Sequence, residues 1–243
     1  MIDFIDVSFE YEPGKKALNN ISVKIEKGEK VGLIGANGAG KSTFFKALLG
    51  LVNYKGTVLV GDVPVTKENL KEIRKKVGYV LQNSDNQMFM PTVFEDIVFA
   101  PLNYGLGKKE AEDRTDDILK KLGIEDLKHR HNHKLSGGEK RMAAIATVLA
   151  MDPEVILMDE PSSALDPYNR RQVINVIKSL DNTCIIASHD LDMILDTCDK
   201  VILLNKGGIV VTGTCEEVLK DANLLEKNRL ELPLSYRAFG KYY

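Results

Sequence analysis

Val31-Gly32-Leu33-Ile34-Gly35-Ala36-Asn37-Gly38-Ala39-Gly40-Lys41-Ser42-Thr43 decides the fold. A short apolar run ends in a glycine-rich loop. A helical pattern then begins near Lys41 and carries Phe44, Phe45, Leu48 and Leu49 until Gly50 stops it. Inside this stretch lies G-x-x-x-x-G-K-S, from Gly35 to Ser42. Glycines let backbone N–H groups turn inward around a phosphate, and the helix N-terminus adds partial positive charge. Lys41 is then placed to reach the β- and γ-phosphates of a nucleotide, and the Ser42 hydroxyl to ligate Mg2+. A plain glycine turn capped by a lysine would need neither the buried strand before it nor the helix after it.

Working outward, Ile2–Phe9 and Ile21–Ile25 alternate and are rich in β-formers. Residues 57–65 read as a hairpin turning at Gly61-Asp62, and Val77–Leu81 reads as a strand. From Gln82 to about Lys134 helix and loop signals dominate. Lys108–Leu122 sets Ala111, Thr115, Ile118, Leu119 and Leu122 on one helical face, and Gly123 ends it. Alternating signals return with Val155–Met158, Tyr168–Leu180 and Thr183–Ala187. Val201–Leu204 and Ile209–Thr212 flank a second hairpin turn, and Glu216–Leu219 and Asn223–Asn228 read as helical pieces. This order implies a mostly parallel sheet, an antiparallel β layer and a helical lobe.

Ile156-Leu157-Met158-Asp159-Glu160-Pro161 puts two carboxylates at the C-terminal end of a buried strand, the edge where open α/β sheets bind ligands. Asp159 can hold Mg2+ through its water shell, and Glu160 can polarise a water that attacks a γ-phosphate. Adjacent carboxylates beside a phosphate repel unless a metal or proton intervenes, so the pair itself points to Mg2+.

Leu135-Ser136-Gly137-Gly138-Glu139 precedes a helical pattern over Lys140–Met151. Ser136 and Glu139 form S-x-x-E, a capping box. Two glycines in a first helical turn cost about 1 kcal/mol each against alanine, and a plain cap needs neither. Exposed N–H groups at a helix start suit a phosphate.

The phosphate loop, Leu135–Glu139 and Met158–Pro161 together resemble the ATP-binding-cassette (ABC) ATPases, and the resemblance runs from about Ile2 to about Leu219. It implies an α/β fold: a P-loop NTPase with a mostly parallel core sheet, an antiparallel β layer and a helical subdomain. It implies one domain over 1–243, with 1–81 and 153–220 as nucleotide-binding core and β layer. Residues 82–152 would form the helical subdomain and signature helix, and 221–243 a C-terminal extension. By the same resemblance, Gly35, Ala36, Asn37, Gly38, Ala39, Gly40, Lys41, Ser42 and Thr43 bind ATP, and Tyr11 stacks on adenine. Tyr11 could also simply cover an apolar edge. Gln82 would touch Mg2+ and the lytic water. Ser136, Gly137 and Gly138 would meet the γ-phosphate of ATP held by the opposite subunit. Asp166 would lie in the dimer-interface loop, and His189 would sense the γ-phosphate. Glu160, His189 and Gln82 are the implied catalytic set; Ser42, Gln82 and Asp159 the implied Mg2+ ligands.

Gln82–Phe89, Pro91–Asp96, Phe99–Leu106 and Val148–Pro153 are similar to the ATPases of energy-coupling-factor importers, most of all their cobalt and nickel branch. A vitamin importer of the same type and a non-transport ABC ATPase are the alternative readings. Gln87 matches an extra segment of the cobalt and nickel branch. Ser84 stands where a proline is usual, Ser162-Ser163-Ala164 where Thr-Ser/Ala-Gly is usual, and Phe44-Phe45 where smaller aliphatics are usual. The implied partners are integral membrane transport subunits and a second cassette. A homodimer is the simplest assembly, and a heterodimer with a related cassette stays open. The implied place is the cytoplasmic face of the cell membrane, peripherally bound.

Composition narrows the classes. The 243 residues carry 33 Lys and Arg against 35 Asp and Glu, a net charge of −2, which argues against a nucleic-acid partner. Met142–Met151 is only half a membrane span. Met1-Ile2-Asp3-Phe4-Ile5-Asp6 lacks the charged-then-apolar pattern of a signal peptide. Cys184, Cys198 and Cys215 form no C-x-x-C pair and read as reduced packing thiols. His129, His131 and His133 alternate as metal ligands could, but Lys128, Arg130 and Lys134 interleave positive charge, as in a solvated loop. A cassette that moves DNA or ribosomes would carry a coiled-coil insert, a second cassette or a basic patch. A nucleotide-holding module without turnover would have lost Glu160 or His189, and both are present.

Overall fold

The computed structural model describes Met1–Arg237; residues 238–243, the end of the expected 221–243 extension, lie outside the described residues. The strands are β1 (Ile2–Glu12), β2 (Lys15–Ile25), β3 (Lys30–Ile34), β4 (Lys55–Val60), β5 (Val63–Pro64), β6 (Val77–Val80), β7 (Val155–Asp159), β8 (Thr183–Ala187), β9 (Lys200–Asn205) and β10 (Gly208–Thr214). The helices are α1 (Lys41–Leu48), α2 (Leu70–Lys76), α3 (Val93–Asn103), α4 (Lys108–Leu122) and α5 (Gly137–Leu149). They continue with α6 (Pro167–Ser179), α7 (Leu191–Thr197), α8 (Cys215–Lys220), α9 (Ala222–Lys227) and α10 (Leu234–Arg237). The chain divides into two compact units, one of residues 1–74 with 181 onward and one of Lys75–Leu180.

The first unit carries the antiparallel layer, in the order β2-β1-β4-β5, and the parallel strands β9-β3-β8 with β10 as an antiparallel edge. Strand β3 pairs Val31 with Ile185 and Leu33 with Ile202. All residues of β8 are buried, and all of β3 but Lys30. That is why these strands read as continuous apolar runs rather than alternating ones. Phe44 stacks on Phe4 of β1, with ring centroids 4.0 Å apart. The aromatic pair in α1, unusual by the family comparison, is thus matched by an aromatic in the antiparallel layer. Strand β2 begins at Lys15, ahead of the alternating stretch expected at Ile21, and α2 and α7 had no strong sequence signal.

The second unit pairs β6 with β7 in parallel, from Val77↔Val155 to Val80↔Met158. In α4 the residues Ala111, Thr115 and Leu119 are buried, as the helical spacing predicts, and Gly123 caps the end in the left-handed region, φ 66. Helix α5 starts three residues ahead of the expected Lys140, at Gly137, because Ser136 caps it. His129, His131 and His133 all face solvent. Among the described residues no group of three or more His, Cys, Asp and Glu could hold a metal. The three cysteines are buried and free. Burial pushes the Cys184 and Cys215 thiols up to about 12.

Candidate active site

The phosphate loop joins β3 to α1, and its glycines are there for close approach. Gly35 has φ 152, and a Cβ on it would lie 2.4 Å from the Leu204 carbonyl oxygen and 2.8 Å from Ala39 Cβ. Gly40, at φ 114, would meet the Ala17 carbonyl oxygen at 2.6 Å. Only glycine permits both the backbone and the contact. Lys41, 8% exposed, folds into the loop: its ammonium donates to the Gly35 carbonyl at 2.7 Å. The same Nζ lies 3.1 Å from Nε2 of His189. With the ammonium donating, Nε2 accepts and the ring proton sits on Nδ1. His189 follows β8 and is exposed, and its neighbour Asp190 caps α7 through the Met193 N–H at 3.0 Å. Ser42 is exposed at the helix start, where a cation ligand must be.

Tyr11, 56% exposed, projects from the end of β1. Its ring meets Phe9 edge-on at 4.8 Å, and Lys46 lies 5.5 Å above its centroid and donates to its hydroxyl at 3.2 Å. Burial raises the phenol, but hydrogen bonds with Thr43 and Lys46 and the Lys46 charge outweigh it and lower it below the usual tyrosine value. One ring face is therefore propped next to α1, which suits stacking on a planar base.

In the second unit, Asp159 ends β7 and is 7% exposed. The Tyr79 hydroxyl donates to Asp159 Oδ2 at 3.2 Å, and burial with the Asp159 charge pushes that phenol up. Glu160 has φ 47, left-handed and non-glycine, followed by Pro161. Such a backbone costs about 1–2 kcal/mol and persists only where packing imposes it. Ala164, at φ 59, repeats the feature four residues on. Strain in the loop after a carboxylate strand is a mark of functional placement.

Gln82 is exposed, just past β6. Its carbonyl is held by Arg141 Nη2, and the Leu81 carbonyl by Nη1 at 2.6 Å. Arg141 is 4% exposed; burial lowers its pKa, and the Asp159 charge opposes that. One buried guanidinium thus ties α5 to the Gln82 loop. Gln87 reinforces the tie: it accepts from the Leu81 N–H at 3.0 Å and donates to Ala144 O and Thr147 Oγ1 at 2.7 and 2.8 Å. The second glutamine therefore holds the loop to α5.

At α5 the capping box is fully formed: Ser136 Oγ accepts from the Glu139 N–H at 3.3 Å, and Glu139 accepts from the Ser136 N–H at 2.7 Å. Arg130 pairs with Glu139. Gly137 has nothing within 4 Å of a Cβ, whereas at Gly138 a Cβ would strike the Asn169 side chain at 2.2 Å. Asn169 also donates to Asp166 through its backbone N–H at 2.9 Å and through its side-chain amide. These bonds hold the Asp166 carboxyl below the usual carboxylate range. Asp166 is the N-cap of α6, with Pro167 following, a legible helix start. Asn169, Arg141 and Tyr79 were not singled out from sequence: nothing local distinguishes them, and only the packing shows what they touch.

The oxygen donors Ser42, Gln82 and Asp159 suit a hard cation such as Mg2+.

Residues 18–163 match the family model for ABC transporters. The energy-coupling factor transporter ATP-binding protein EcfA of Methanocaldococcus jannaschii is 43% identical over 96% of this chain and 86% of its own length. The structure of cbiO1 from Clostridium perfringens, part of the ABC transporter complex cbiONQ, superposes with a TM-score of 0.84 at 33% identity, covering 98% of this chain and 95% of that one. The dimeric structure of a bacterial ABC transporter cassette gives a TM-score of 0.79 at 27% identity, over 88% of this chain and 99% of that one. With the family model matched over most of its length and relatives similar along nearly all of it, the chain belongs to the ABC transporter family and is one of its ATPases.

Proposed function

We propose that this chain is the ATP-hydrolysing subunit of an energy-coupling-factor importer, with cobalt or nickel ions as cargo. The observation that carries the transporter type is the 43% identity, over 96% of the chain, to an energy-coupling factor ATP-binding protein. Gln82–Phe89 and Phe99–Leu106, which resemble the cobalt and nickel branch, support the cargo.

In this reading the phosphate loop, Gly35 to Thr43, cradles the triphosphate, and Lys41 exchanges its bond to the Gly35 carbonyl for one to phosphate oxygens. Tyr11 stacks on adenine. Ser42, Gln82 and Asp159 hold Mg2+, which supplies charge neutralisation at the transferring phosphoryl group. Glu160 orients the attacking water and takes its proton as the water bonds to the γ-phosphorus and the bridging oxygen leaves with ADP. His189 reads the γ-phosphate. Ser136, Gly137 and Gly138 meet the ATP of a second cassette, and Asp166 stands at that interface. Two copies carry the parts for two complete sites, so a homodimer is the simplest assembly, with a related cassette as the alternative partner.

The cassette works from the cytoplasmic face of the membrane. Among the described residues no helix is long and apolar enough to cross one. Residues 82–152 act as the helical arm, and the Gln82–Tyr104 segment docks on the membrane subunits. Its exposed Phe89, Phe99 and Leu102 supply an apolar contact, with Phe89 and Phe99 edge-on at 5.0 Å. The test is reconstitution with the membrane subunits encoded beside this gene, followed by radiometal uptake. ATP-dependent accumulation of cobalt or nickel supports the reading. Uptake of a vitamin instead overturns the cargo and keeps the transporter type. Turnover with no transport overturns both.

A further inference from the structure

Three cations that the ATPase reading does not use converge on the outer side of the phosphate loop. A cavity of about 270 Å³ is lined by Ala36–Ala39 of the loop and by Asn205, Lys206, Lys227 and Arg229. Lys41, Ser42, Thr43 and His189 are not in its wall, which shares Ala36–Ala39 with the phosphate loop. No carboxylate lines it, and among the described residues none pairs with Lys206, Lys227 or Arg229. In a chain of net charge −2, three unneutralised cations around one cavity are a local inversion of the background.

The wall is built, not frayed. Lys206, φ 48, and Gly207, φ 79, form the two-residue turn between β9 and β10, and Arg229 stands at φ 59. Two of the three cations therefore occupy left-handed backbone, where a lysine or arginine gains nothing intrinsic. Asn228, 7% exposed, receives the Asn205 side-chain amide at 2.8 Å and donates to the Leu224 carbonyl at 2.8 Å, which fixes the Arg229 segment to the turn. The turn is in turn bonded to the phosphate loop: the Gly207 N–H donates to the Ala39 carbonyl at 2.9 Å.

We propose that this cavity is a binding site for a small free oxyanion of the phosphate class, held by Lys206, Lys227 and Arg229 with the Asn37 and Asn205 amides as further donors. Cations in a concave site with amide donors match tetrahedral oxyanions by charge and by hydrogen bonding. Because the turn donates to Ala39, an anion that braces Lys206 also braces the loop. The site's three cations, Lys206, Lys227 and Arg229, have no assigned role in hydrolysis, while Asn37 is shared with the phosphate loop.

The test is calorimetric titration of the full chain with inorganic phosphate and, separately, tripolyphosphate, at low ionic strength and without Mg2+. The wild type should bind saturably. Lys227→Gln/Arg229→Gln should bind about tenfold more weakly or worse, and Lys41→Ala, which disables the nucleotide face, should still retain a saturable site. Should the double variant fail to keep the wild-type melting curve, the single Lys206→Gln is read in its place. No saturable binding, equal binding by the cavity variants, or no saturable site left in Lys41→Ala each overturns the proposal, the last by moving the anion to the nucleotide face. A chain that binds phosphate through the cavity but fails to bind ATP would sink the assigned nucleotide roles and leave this site standing.

Discussion

The Lys41 ammonium lies 3.1 Å from His189 Nε2 and 2.7 Å from the Gly35 carbonyl, so the two motifs at the ends of β3 and β8 are in contact without a nucleotide. With the ammonium donating, Nε2 accepts and the ring proton of His189 sits on Nδ1.

Lys41→Ala removes both bonds and the charge aimed at the phosphates. ATP hydrolysis should fall at least about 10²-fold, as for loss of one preorganised charge stabiliser, and nucleotide binding should weaken. Steady-state phosphate release and fluorescent-nucleotide titration of the purified variant check this. Turnover near wild type would remove Lys41 from the centre of the site.

Glu160→Gln keeps the side-chain shape and removes the base. Hydrolysis should drop about 10²–10⁴-fold, while ATP stays bound and two cassettes stay closed on it by mass action. Light scattering with and without ATP is the measurement. A monomer in both, with ATP shown to be bound, would favour an unlike partner.

Gly138→Ala places a methyl 2.2 Å from Asn169. Overpacking of this kind costs about 1–3 kcal/mol, so the melting temperature should fall. Gly138→Ala/Asn169→Ala should recover much of the loss, since the single variants share one contact. Additive losses in the double variant would show that Asn169 does not set the room at Gly138.

Asp96 carries the pH prediction. It is 4% exposed, and burial raises its pKa despite hydrogen bonds from the Met90 and Phe89 N–H groups, both at 3.1 Å, and from Asn132. A carboxyl raised on folding contributes stability that is fully present below its unfolded pKa and is lost as pH rises through its folded pKa. Unfolding free energy from urea titration should therefore decline with rising pH between the ordinary aspartate pKa and the raised folded one. Asp96→Asn should flatten the decline, since an amide does not titrate; its oxygen still accepts both N–H bonds, while its NH2 faces the Asn132 Nδ2 donor and that bond is lost. An unchanged slope in the variant would assign the pH dependence to another group.

What the sequence by itself determined is what depends on local chemistry. Gly35 and Gly40 had to be glycine for a loop that turns inward and passes 2.4 and 2.6 Å from other carbonyls. Ser136 with Glu139, and Asp166 before Pro167, declare helix starts because capping uses residues three apart. The apolar runs of β3 and β8 declare buried parallel strands. What only the tertiary structure decided depends on residues distant in sequence. Phe44 is explained by Phe4, 40 positions away, Gly138 by Asn169, and Gln82 by the Arg141 guanidinium that grips its carbonyl. Helices α2 and α7 are seven residues each, too short for a sustained periodic signal, and the first half of β2 is mostly exposed and polar, so no pattern marks them. The cation cavity joins residues 36–39, 205–206, 227 and 229, and no spacing rule links positions that a β-hairpin turn and a helix end bring together in space.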